Sequence, residues 1–235
     1  MQRETFTPAE QGTQREPFSR DDDIVYVRSG LLGAARWQRT AKDAMDILFS
    51  VTLLVILVPI ILLVAVAIKI NSRGPVLYAQ ERIGRDGRPF LMLKFRSMVE
   101  GADEQLERVL HLNAREGPVF KMKSDPRVTK VGAVLRRYSI DEIPQFVNVL
   151  RGEMSLVGPR PPLPREFEAY DSRERQRMAV APGLTCTWQV SGRSDLDFAT
   201  AVDMDLAYID SWTVRKDMKL LVMTLPAVLS GRGAY

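Results

Sequence analysis

The feature that most constrains this chain is a run of 22 residues without a charge, from Ile47 to Ile68. Only Ser50 and Thr52 within it are polar, and Pro59 lies near its middle. A helix needs about 20 apolar residues to cross the hydrocarbon of a bilayer, and a buried helix of a water-soluble domain rarely needs so many. The run therefore predicts insertion into a membrane, and the polar remainder of the chain must work at the surface of that membrane.

Basic residues flank the apolar run on both sides: Arg28, Arg36, Arg39 and Lys42 before it, and Lys69, Arg73, Arg82, Arg85 and Arg88 after it. Because basic flanks favour the cytoplasm, a straight span would place one flank on the wrong side. A re-entrant hairpin broken at Pro59, whose ring removes a backbone donor and clashes with the carbonyl of Val55, would keep both flanks inside. Proline is tolerated in spanning helices, so the residues alone leave both arrangements open.

Charge and residue counts exclude several functions. The chain has 33 basic and 29 acidic side chains, and its net charge of +4 suits anionic headgroups or phosphorylated substrates. No long Lys/Arg run supports nucleic-acid binding. The single cysteine, Cys186, excludes an intrachain disulfide, and the single histidine, His111, excludes clustered histidine metal sites. Any catalysis must rest on carboxylates, lysine, arginine and a metal ion.

The predicted organisation has three parts. Residues 1–35 form a polar tail that cannot bury a core and is expected to be disordered. Residues 36–71 contain an amphipathic lead-in and the membrane helix. Residues 72–235 form a compact domain.

Local patterns in that domain predict an α-rich α/β fold with a small sheet. Val76–Arg82 and Phe90–Phe95 are rich in strand formers and are joined by a glycine-containing turn, so they predict a hairpin. Thr185–Val190 alternates as a further strand would. Phe198–Trp212 predicts an amphipathic helix, and Asp217–Leu229 predicts an apolar helix that contains Pro226 and suits the membrane interface. We expect amphipathic helices of the domain to lie on the membrane surface.

Two adjacent acids, Asp141 and Glu142, open a predicted helix. Ser139 lies three residues before Glu142, and this capping-box spacing is by itself a sufficient structural explanation. A functional explanation concerns Asp141, because a helix N-terminus attracts phosphate and stabilises a carboxylate, as an aspartyl nucleophile requires. Neighbours on a helix point in different directions, so the two acids are expected to have different roles.

Several cations stand at strand ends or in tight turns. Lys94 and Arg96 end the second hairpin strand, where they also suit a charged edge that resists aggregation. Arg160 lies between prolines that hold its backbone extended, which suits bidentate phosphate recognition but also fits an ordinary exposed turn. Arg193 follows a tight turn of the predicted strand region.

Seven motifs in one order resemble the bacterial sugar transferase family, the monotopic polyprenyl-phosphate phosphoglycosyl transferases. They are the apolar helix with its central proline, QERIG (80–84), KFRSM (94–98), SIDEIPQ (139–145), GPRP (158–161), PGLT (182–185) and WQVSGR (188–193). The resemblance covers about residues 36–235. Larger members add further membrane helices and a nucleotide-fold domain, so this chain is expected to be the minimal catalytic unit.

The resemblance implies a reaction. Such enzymes transfer a sugar 1-phosphate from a UDP-sugar to a polyprenyl phosphate such as undecaprenyl phosphate, release UMP and need Mg²⁺. Asp141 would form the covalent phosphosugar intermediate and contribute to the metal site, and Glu142 would position the metal or deprotonate the acceptor. The cations implied to bind substrate phosphates are Lys94, Arg96, Arg136, Arg160 and Arg193.

The resemblance also implies a setting. The membrane helix of the family is re-entrant at its proline, here Pro59, so we expect the re-entrant arrangement, with the catalytic domain on the cytoplasmic face of a bacterial inner membrane. The expected partners are the UDP-sugar, the polyprenyl phosphate and the lipid bilayer, without nucleic acid. A homodimer is compatible with the family, although no motif predicts it.

Two positions refine this expectation. Val58 stands where many members have serine before the proline, which leaves the geometry of the kink open. The sequence of residues 188–193 is similar to that of a subgroup that transfers glucose or galactose 1-phosphate for exopolysaccharide or O-antigen-type glycans.

Two alternative functions stay open. The first is a membrane-anchored interaction protein of polysaccharide assembly, and the intact Asp141–Glu142 pair argues against it. The second is a hydrolase of phosphorylated lipid.

Overall fold

The apolar run lies within one 36-residue helix, α2 (Arg36–Asn71), which continues through Pro59. The computed structural model describes residues 30–102, 104–105, 122, 125–192 and 196–230. Within those residues α2 is the one helix long and apolar enough to cross a membrane. The predicted disordered tail falls almost wholly outside the described residues.

Most other elements are short. In chain order they are α1 (Gly30–Gly33), β1 (Leu77–Ile83), β2 (Pro89–Phe95), α3 (Lys130–Arg137), α4 (Gln145–Leu150), β3 (Ser155–Val157), α5 (Pro164–Glu168), α6 (Ser172–Arg175), β4 (Gly183–Thr185), α7 (Thr187–Ser191), α8 (Phe198–Asp210) and α9 (Val214–Ser230). The 3₁₀ turns among the described residues lie at Arg85–Gly87, Ile140–Glu142 and Gln176–Ala179. The predicted helix-rich architecture with little sheet is confirmed, although the strands form two separate pairs.

The predicted hairpin is present as the antiparallel pair β1–β2, with Leu77 opposite Phe95 and Ile83 opposite Pro89. Its turn needs left-handed backbone at two residues, Asp86 (φ 58°) and Gly87 (φ 73°). Glycine adopts this region without a steric cost, and aspartate is among the residues that tolerate it. The local sequence was therefore sufficient to specify this element.

The predicted strand over Thr185–Val190 is wrong. The strand β4 ends at Thr185, and the following residues form helix α7. β4 pairs in parallel with β3, which is only three residues long, so a longer strand would have no partner for its backbone groups. Instead Cys186 and Trp188 pack with Ala201 of α8 in a small apolar cluster.

The backbones of Gly158, which directly follows β3, and Gly183, which begins β4, touch each other. A Cβ atom on Gly183 would lie 2.1 Å from the nitrogen of Gly158, so no side chain fits there. The pair is joined by bonds from the Gly158 N–H to the Thr185 carbonyl (3.0 Å) and from the Gly183 N–H to the Pro159 carbonyl (2.9 Å). This contact fixes the start of the loop that carries Arg160.

A buried polar network attaches the N-terminal part of α2 to the rest of the structure. The Lys42 ammonium donates to the Asp217 carboxylate at 2.7 Å and to the Val157 carbonyl at 3.1 Å. Asp217 is completely buried and also accepts from the Tyr208 hydroxyl (2.7 Å) and the Trp212 indole N–H (3.0 Å). Because buried charges are tolerated only when paired and hydrogen-bonded, this network fixes α2 against β3, α8 and α9.

The next turns of α2 also contact the rest of the protein through polar side chains. Asp46 accepts from the Ser155 hydroxyl at 2.7 Å and from the Leu156 N–H at 3.3 Å, and Ser50 is completely buried. Residues four apart share one face of a helix. The face formed by Lys42, Asp46 and Ser50 therefore points at protein and not at lipid.

The C-terminal part of α2 packs through apolar side chains. Val64 and Ile68 are buried with Phe95 of β2 and Leu135 of α3. Partly buried side chains complete this cluster: Ile61, Val76, Val131, Ile140 and Ile143. Since the last two flank Asp141 and Glu142 in the chain, the turn that carries the two acids packs against the cluster that α2 shares with β2 and α3.

The buried pair Lys42–Asp217 gives the first prediction. Lys42→Met is expected to lower the free energy of unfolding by about 3–5 kcal/mol, because it leaves the Asp217 carboxylate buried without its cation. The double variant Lys42→Met/Asp217→Leu should recover most of that loss, since both charges are then absent. Chemical denaturation in detergent micelles measures both.

The matched control for this prediction is Asp43→Asn, on the neighbouring exposed position. It should leave the unfolding midpoint unchanged. A Lys42→Met protein as stable as the native chain would show that the network does not hold the helix in place.

Candidate active site

All the described candidate side chains of the polar domain line one cavity of about 570 Å³, a size typical of small-molecule sites. Those residues are Lys94, Arg96, Arg136, Asp141, Glu142 and Arg160. Arg193 lies outside the described residues, and Pro59 lies on α2, away from the cavity lining. The structure therefore brings the sequence candidates together, while their chemical roles stay predictions.

The two acids lie in the 3₁₀ turn Ile140–Glu142, and the predicted capping box is wrong. Ser139 makes no side-chain cap bond and has left-handed backbone angles (φ 53°, ψ 22°), whereas an N-cap residue needs an extended backbone. The Glu142 N–H bonds to the Ser139 carbonyl at 3.2 Å. A non-glycine residue held in this region stores strain of the kind that concentrates at functional sites.

Burial controls the ionisation of Asp141. The residue is only 6% exposed, and burial raises the pKa of its carboxyl to about 6. The neighbouring Glu142 also raises this pKa, whereas Lys94 and Arg136 lower it. Asp141 is therefore a buried, mostly ionised carboxylate at neutral pH, held among cations, and perturbed groups of this kind are candidates for catalysis.

Glu142 has a different environment. Its Oε1 atom lies 3.2 Å from the ammonium of Lys94, and both side chains are partly exposed to the cavity. An ion pair of this exposure contributes little to stability. The pairing instead fixes where Lys94 and Glu142 stand beside Asp141, so the two acids differ in burial and in partner.

A buried ion pair supports the loop of Arg160 from behind. Arg177 and Asp205 are almost fully buried and lie 2.7 Å apart, and Arg177 also donates to the Tyr170 hydroxyl at 3.1 Å. The remaining Nη2 contact of Arg177 reaches the Arg160 carbonyl at 3.4 Å. This support holds the backbone of Arg160 while its side chain lines the cavity.

Sequence reasoning missed Arg82, which also lines the cavity. Its guanidinium is buried and donates to the Pro161 carbonyl (3.0 Å) and to Gln80 Oε1 (2.7 Å). Burial, reinforced by the nearby Arg160, lowers its pKa to about 9, which leaves it charged at neutral pH. The sequence did contain a signal for Arg82, because this residue lies near the end of the first strand, inside the QERIG motif. Lys94, which was predicted as a site residue, has the same position in the second strand.

Gln145 was also missed. It opens helix α4, is 3% exposed and lines the cavity, and its Nε2 has no hydrogen-bond partner among the described residues. A buried amide without a partner costs free energy unless a ligand accepts its hydrogen bond. The sequence placed Gln145 inside SIDEIPQ but offered no reason to separate it from a structural residue.

The acids fit a magnesium ion that is completed by substrate. Mg²⁺ is usually held by one or two protein carboxylates together with substrate phosphates and water. Asp141 and Glu142 supply such a pair at the cavity. No group of three possible protein ligands occurs among the described residues, so phosphate oxygens would have to complete the shell.

A cavity of small-molecule size lined by a buried aspartate, a glutamate and several cations is a candidate site for group transfer from a phosphorylated substrate. The bacterial sugar transferase family matches residues 37–231, and this chain belongs to that family.

Named relatives support the membership. The exopolysaccharide production protein ExoY of Rhizobium meliloti is 43% identical over 199 residues, which cover 83% of this chain and 88% of the relative. The undecaprenyl-phosphate galactose phosphotransferase of Salmonella typhimurium is 39% identical over 93% of this chain. The UDP-glucose:undecaprenyl-phosphate glucose-1-phosphate transferase of Escherichia coli is 38% identical over 84% of it. The chain spans 46% and 42% of those two longer relatives.

The raised pKa of Asp141 gives the second prediction. Between about pH 4 and pH 6 the folded protein holds a proton that the unfolded chain has released, so the stability falls as the pH rises through that interval. Asp141→Asn cannot ionise and should be more stable than the native chain at pH 8 by about 1–3 kcal/mol, with a smaller difference at pH 5. Thermal unfolding in detergent with a chelator measures this.

The control for that measurement has the opposite sign. Hydrogen bonds from Arg127 lower the pKa of Asp125, so Asp125→Asn should destabilise the protein at pH 8. An Asp141→Asn protein that is less stable than the native chain at pH 8 would contradict the description of Asp141 as a carboxylate strained by burial.

Proposed function

We propose that this chain transfers a hexose 1-phosphate from a UDP-sugar to undecaprenyl phosphate and releases UMP. The observation that carries the proposal is the position of Asp141, a buried carboxylate in a cation-lined cavity, on a turn that packs against the membrane helix. A water-soluble donor and a lipid acceptor can meet only in such a place. The relatives' names, which mention galactose and glucose transfer to the same lipid phosphate, support the substrate classes.

The chemistry takes two displacements at one phosphorus atom. An oxygen of Asp141 attacks the phosphorus that bears the sugar, and UMP departs with the electron pair of the broken P–O bond. An oxygen of the polyprenyl phosphate then attacks the same phosphorus and releases the Asp141 carboxylate. One P–O bond forms and one breaks in each step, so the chain needs a nucleophile and charge neutralisation but no redox group.

Other residues position the substrates and neutralise the charge of their phosphates. Arg136 and Arg160 line the cavity beside Asp141 and can balance the charge that spreads over the transferred phosphoryl oxygens. Lys94 holds Glu142, which could deprotonate or orient the acceptor. Asp141, with Glu142, would hold Mg²⁺, and the bound ion would add positive charge at the diphosphate.

The third prediction concerns activity. With Mg²⁺ and undecaprenyl phosphate in detergent, UMP should be released from UDP-glucose or UDP-galactose. Asp141→Asn should reduce the rate to below about one-thousandth of the native rate, because the attacking group is lost. The surface variant Asp43→Asn should keep the native rate.

Two results would count against this proposal. Absence of UMP from every UDP-sugar tested with a folded native protein would favour the alternative of a non-catalytic interaction protein. UMP release that persists in Asp141→Asn would keep the transferase but remove Asp141 as the nucleophile.

We also propose that α2 is re-entrant, so that the domain lies on the cytoplasmic face of the inner membrane. The support is that both parts of α2 pack against the same domain: Lys42 and Asp46 near one end, Val64 and Ile68 near the other. A straight helix separates Lys42 from Ile68 by about 39 Å, which exceeds the ~30 Å hydrocarbon layer. A straight perpendicular span would leave one of these contacts across the bilayer.

The middle of α2 supports the same proposal. Large apolar side chains there are exposed and require lipid: Val55, Ile56, Val58, Ile60, Leu62 and Leu63. The helix α9 adds exposed Val222, Leu225 and Leu229, which fit an amphipathic helix lying at the membrane surface. The homodimer that the family resemblance allows stays a prediction.

The fourth prediction tests this topology. Cysteines introduced at the exposed positions Ala44 and Ile70, in a Cys186→Ser background, should both react with a membrane-impermeant maleimide from the cytoplasmic side of vesicles. A cysteine at Leu62 should be protected by lipid from either side. Labelling of Ala44→Cys and Ile70→Cys from opposite sides would establish a straight span.

A further inference from the structure

The guanidinium of Arg96 is buried without a counter-ion among the described residues. Arg96 is 7% exposed and lines the cavity. Its Nη2 donates to the Ser72 carbonyl (3.0 Å) and hydroxyl (2.9 Å), while its Nε and Nη1 have no hydrogen-bond partner in the described part of the chain. A buried cation in this state is costly, so two of its donors are available for an anionic ligand.

Two other cations beside the acids are already engaged. Lys94 pairs with Glu142, and Arg82 donates to Gln80 and to the Pro161 carbonyl. Arg96 therefore differs from them, because its Nε and Nη1 donors have no partner among the described residues and can each donate to an oxygen of an anionic ligand.

The position of Arg96 indicates which phosphate it receives. Ser72 is the C-cap residue of α2, and its N–H closes the last turn by bonding to the Ile68 carbonyl at 3.0 Å. The bond from Arg96 to Ser72 thus places the guanidinium where the membrane helix ends. Gly74 makes room for it, since a Cβ atom there would lie 2.1 Å from Nη1.

Two phosphorylated substrates must reach Asp141 under the proposed function, and only one is tethered to the bilayer. The donor diphosphate arrives from water, whereas the acceptor phosphate is carried by a lipid tail and must enter from the membrane side. We infer that Arg96 binds the phosphate of the polyprenyl acceptor and holds it for attack on the Asp141 adduct, leaving the donor diphosphate to the other cations of the cavity. This assignment rests on the proposed function.

The two half-reactions can be measured separately. Exchange of labelled UMP into the UDP-sugar needs only the donor and Asp141, whereas transfer to undecaprenyl phosphate needs both substrates. For Arg96→Gln, transfer at low acceptor concentration should fall about 10- to 100-fold more than exchange, the size expected for lost hydrogen bonds to a charged group. The defect should appear chiefly as a raised KM for the acceptor.

A second variant and a control make the test independent of folding. Ser72→Ala keeps the guanidinium but removes one acceptor that orients it, and it should raise the KM for the acceptor several-fold with less effect on exchange. Arg73→Gln removes a neighbouring exposed cation that does not line the cavity, and it should leave both reactions at native rates. Thermal unfolding of each variant shows whether the fold is retained.

The outcomes separate this inference from the proposed function. Equal losses of exchange and transfer in folded Arg96→Gln would assign Arg96 to the donor and overturn the inference. Native rates in both reactions would also overturn it. Absence of exchange in the native protein would instead overturn the covalent mechanism on which the inference rests.

Discussion

The buried contact between Lys42 and Asp217 is the interaction on which the arrangement of the whole chain depends. It joins a helix that must enter lipid to the last helix described, and Tyr208 and Trp212 complete the shell around the same carboxylate. Apolar packing alone would not distinguish the face of α2 that meets protein from the face that meets lipid, because both environments accept aliphatic side chains. Charged groups that must be paired make that distinction, since unpaired they are costly in either environment.

At its other end α2 packs near the turn that carries the two acids of the candidate active site. Ile140 and Ile143, on either side of the two acids, pack in the cluster formed by Val64 and Ile68. The acids are therefore positioned jointly by α2, β2 and α3, which all contribute side chains to this cluster. Under the proposed function, an acceptor whose phosphate lies at the headgroup level would need a nucleophile at the same level.

The sequence predicted correctly the elements whose conformation depends on interactions between neighbouring residues. The hairpin β1–β2 was predictable because its strand formers and its Asp86–Gly87 turn act over a few residues. The predicted capping box at Ser139 was wrong, because Ser139 has a left-handed backbone and cannot act as an N-cap. The neighbouring isoleucines pack in a cluster with distant segments, and no local sequence pattern predicts that conformation. The strand predicted at Thr185–Val190 failed because its only partner, β3, is three residues long.

The candidate site was largely visible in the motifs, since six of its predicted side chains line one cavity. What the motifs could not give is which groups are already engaged. Arg82 and Arg96 are both buried cations at strand ends, yet one is bonded to Gln80 and a proline carbonyl while the other has free donors. That difference arises from contacts between distant segments, which a single sequence does not record.

The separation of Lys42 from Asp217 by 175 positions also affects how the protein is made. Synthesis proceeds from the N-terminus, so the lysine leaves the ribosome long before the carboxylate that neutralises it. Until then the carboxylate nearest to Lys42 is that of Asp46 on its own helix, 3.9 Å away in the folded protein. The contact that joins α2 to α9 can therefore form only after nearly the whole chain has been synthesised.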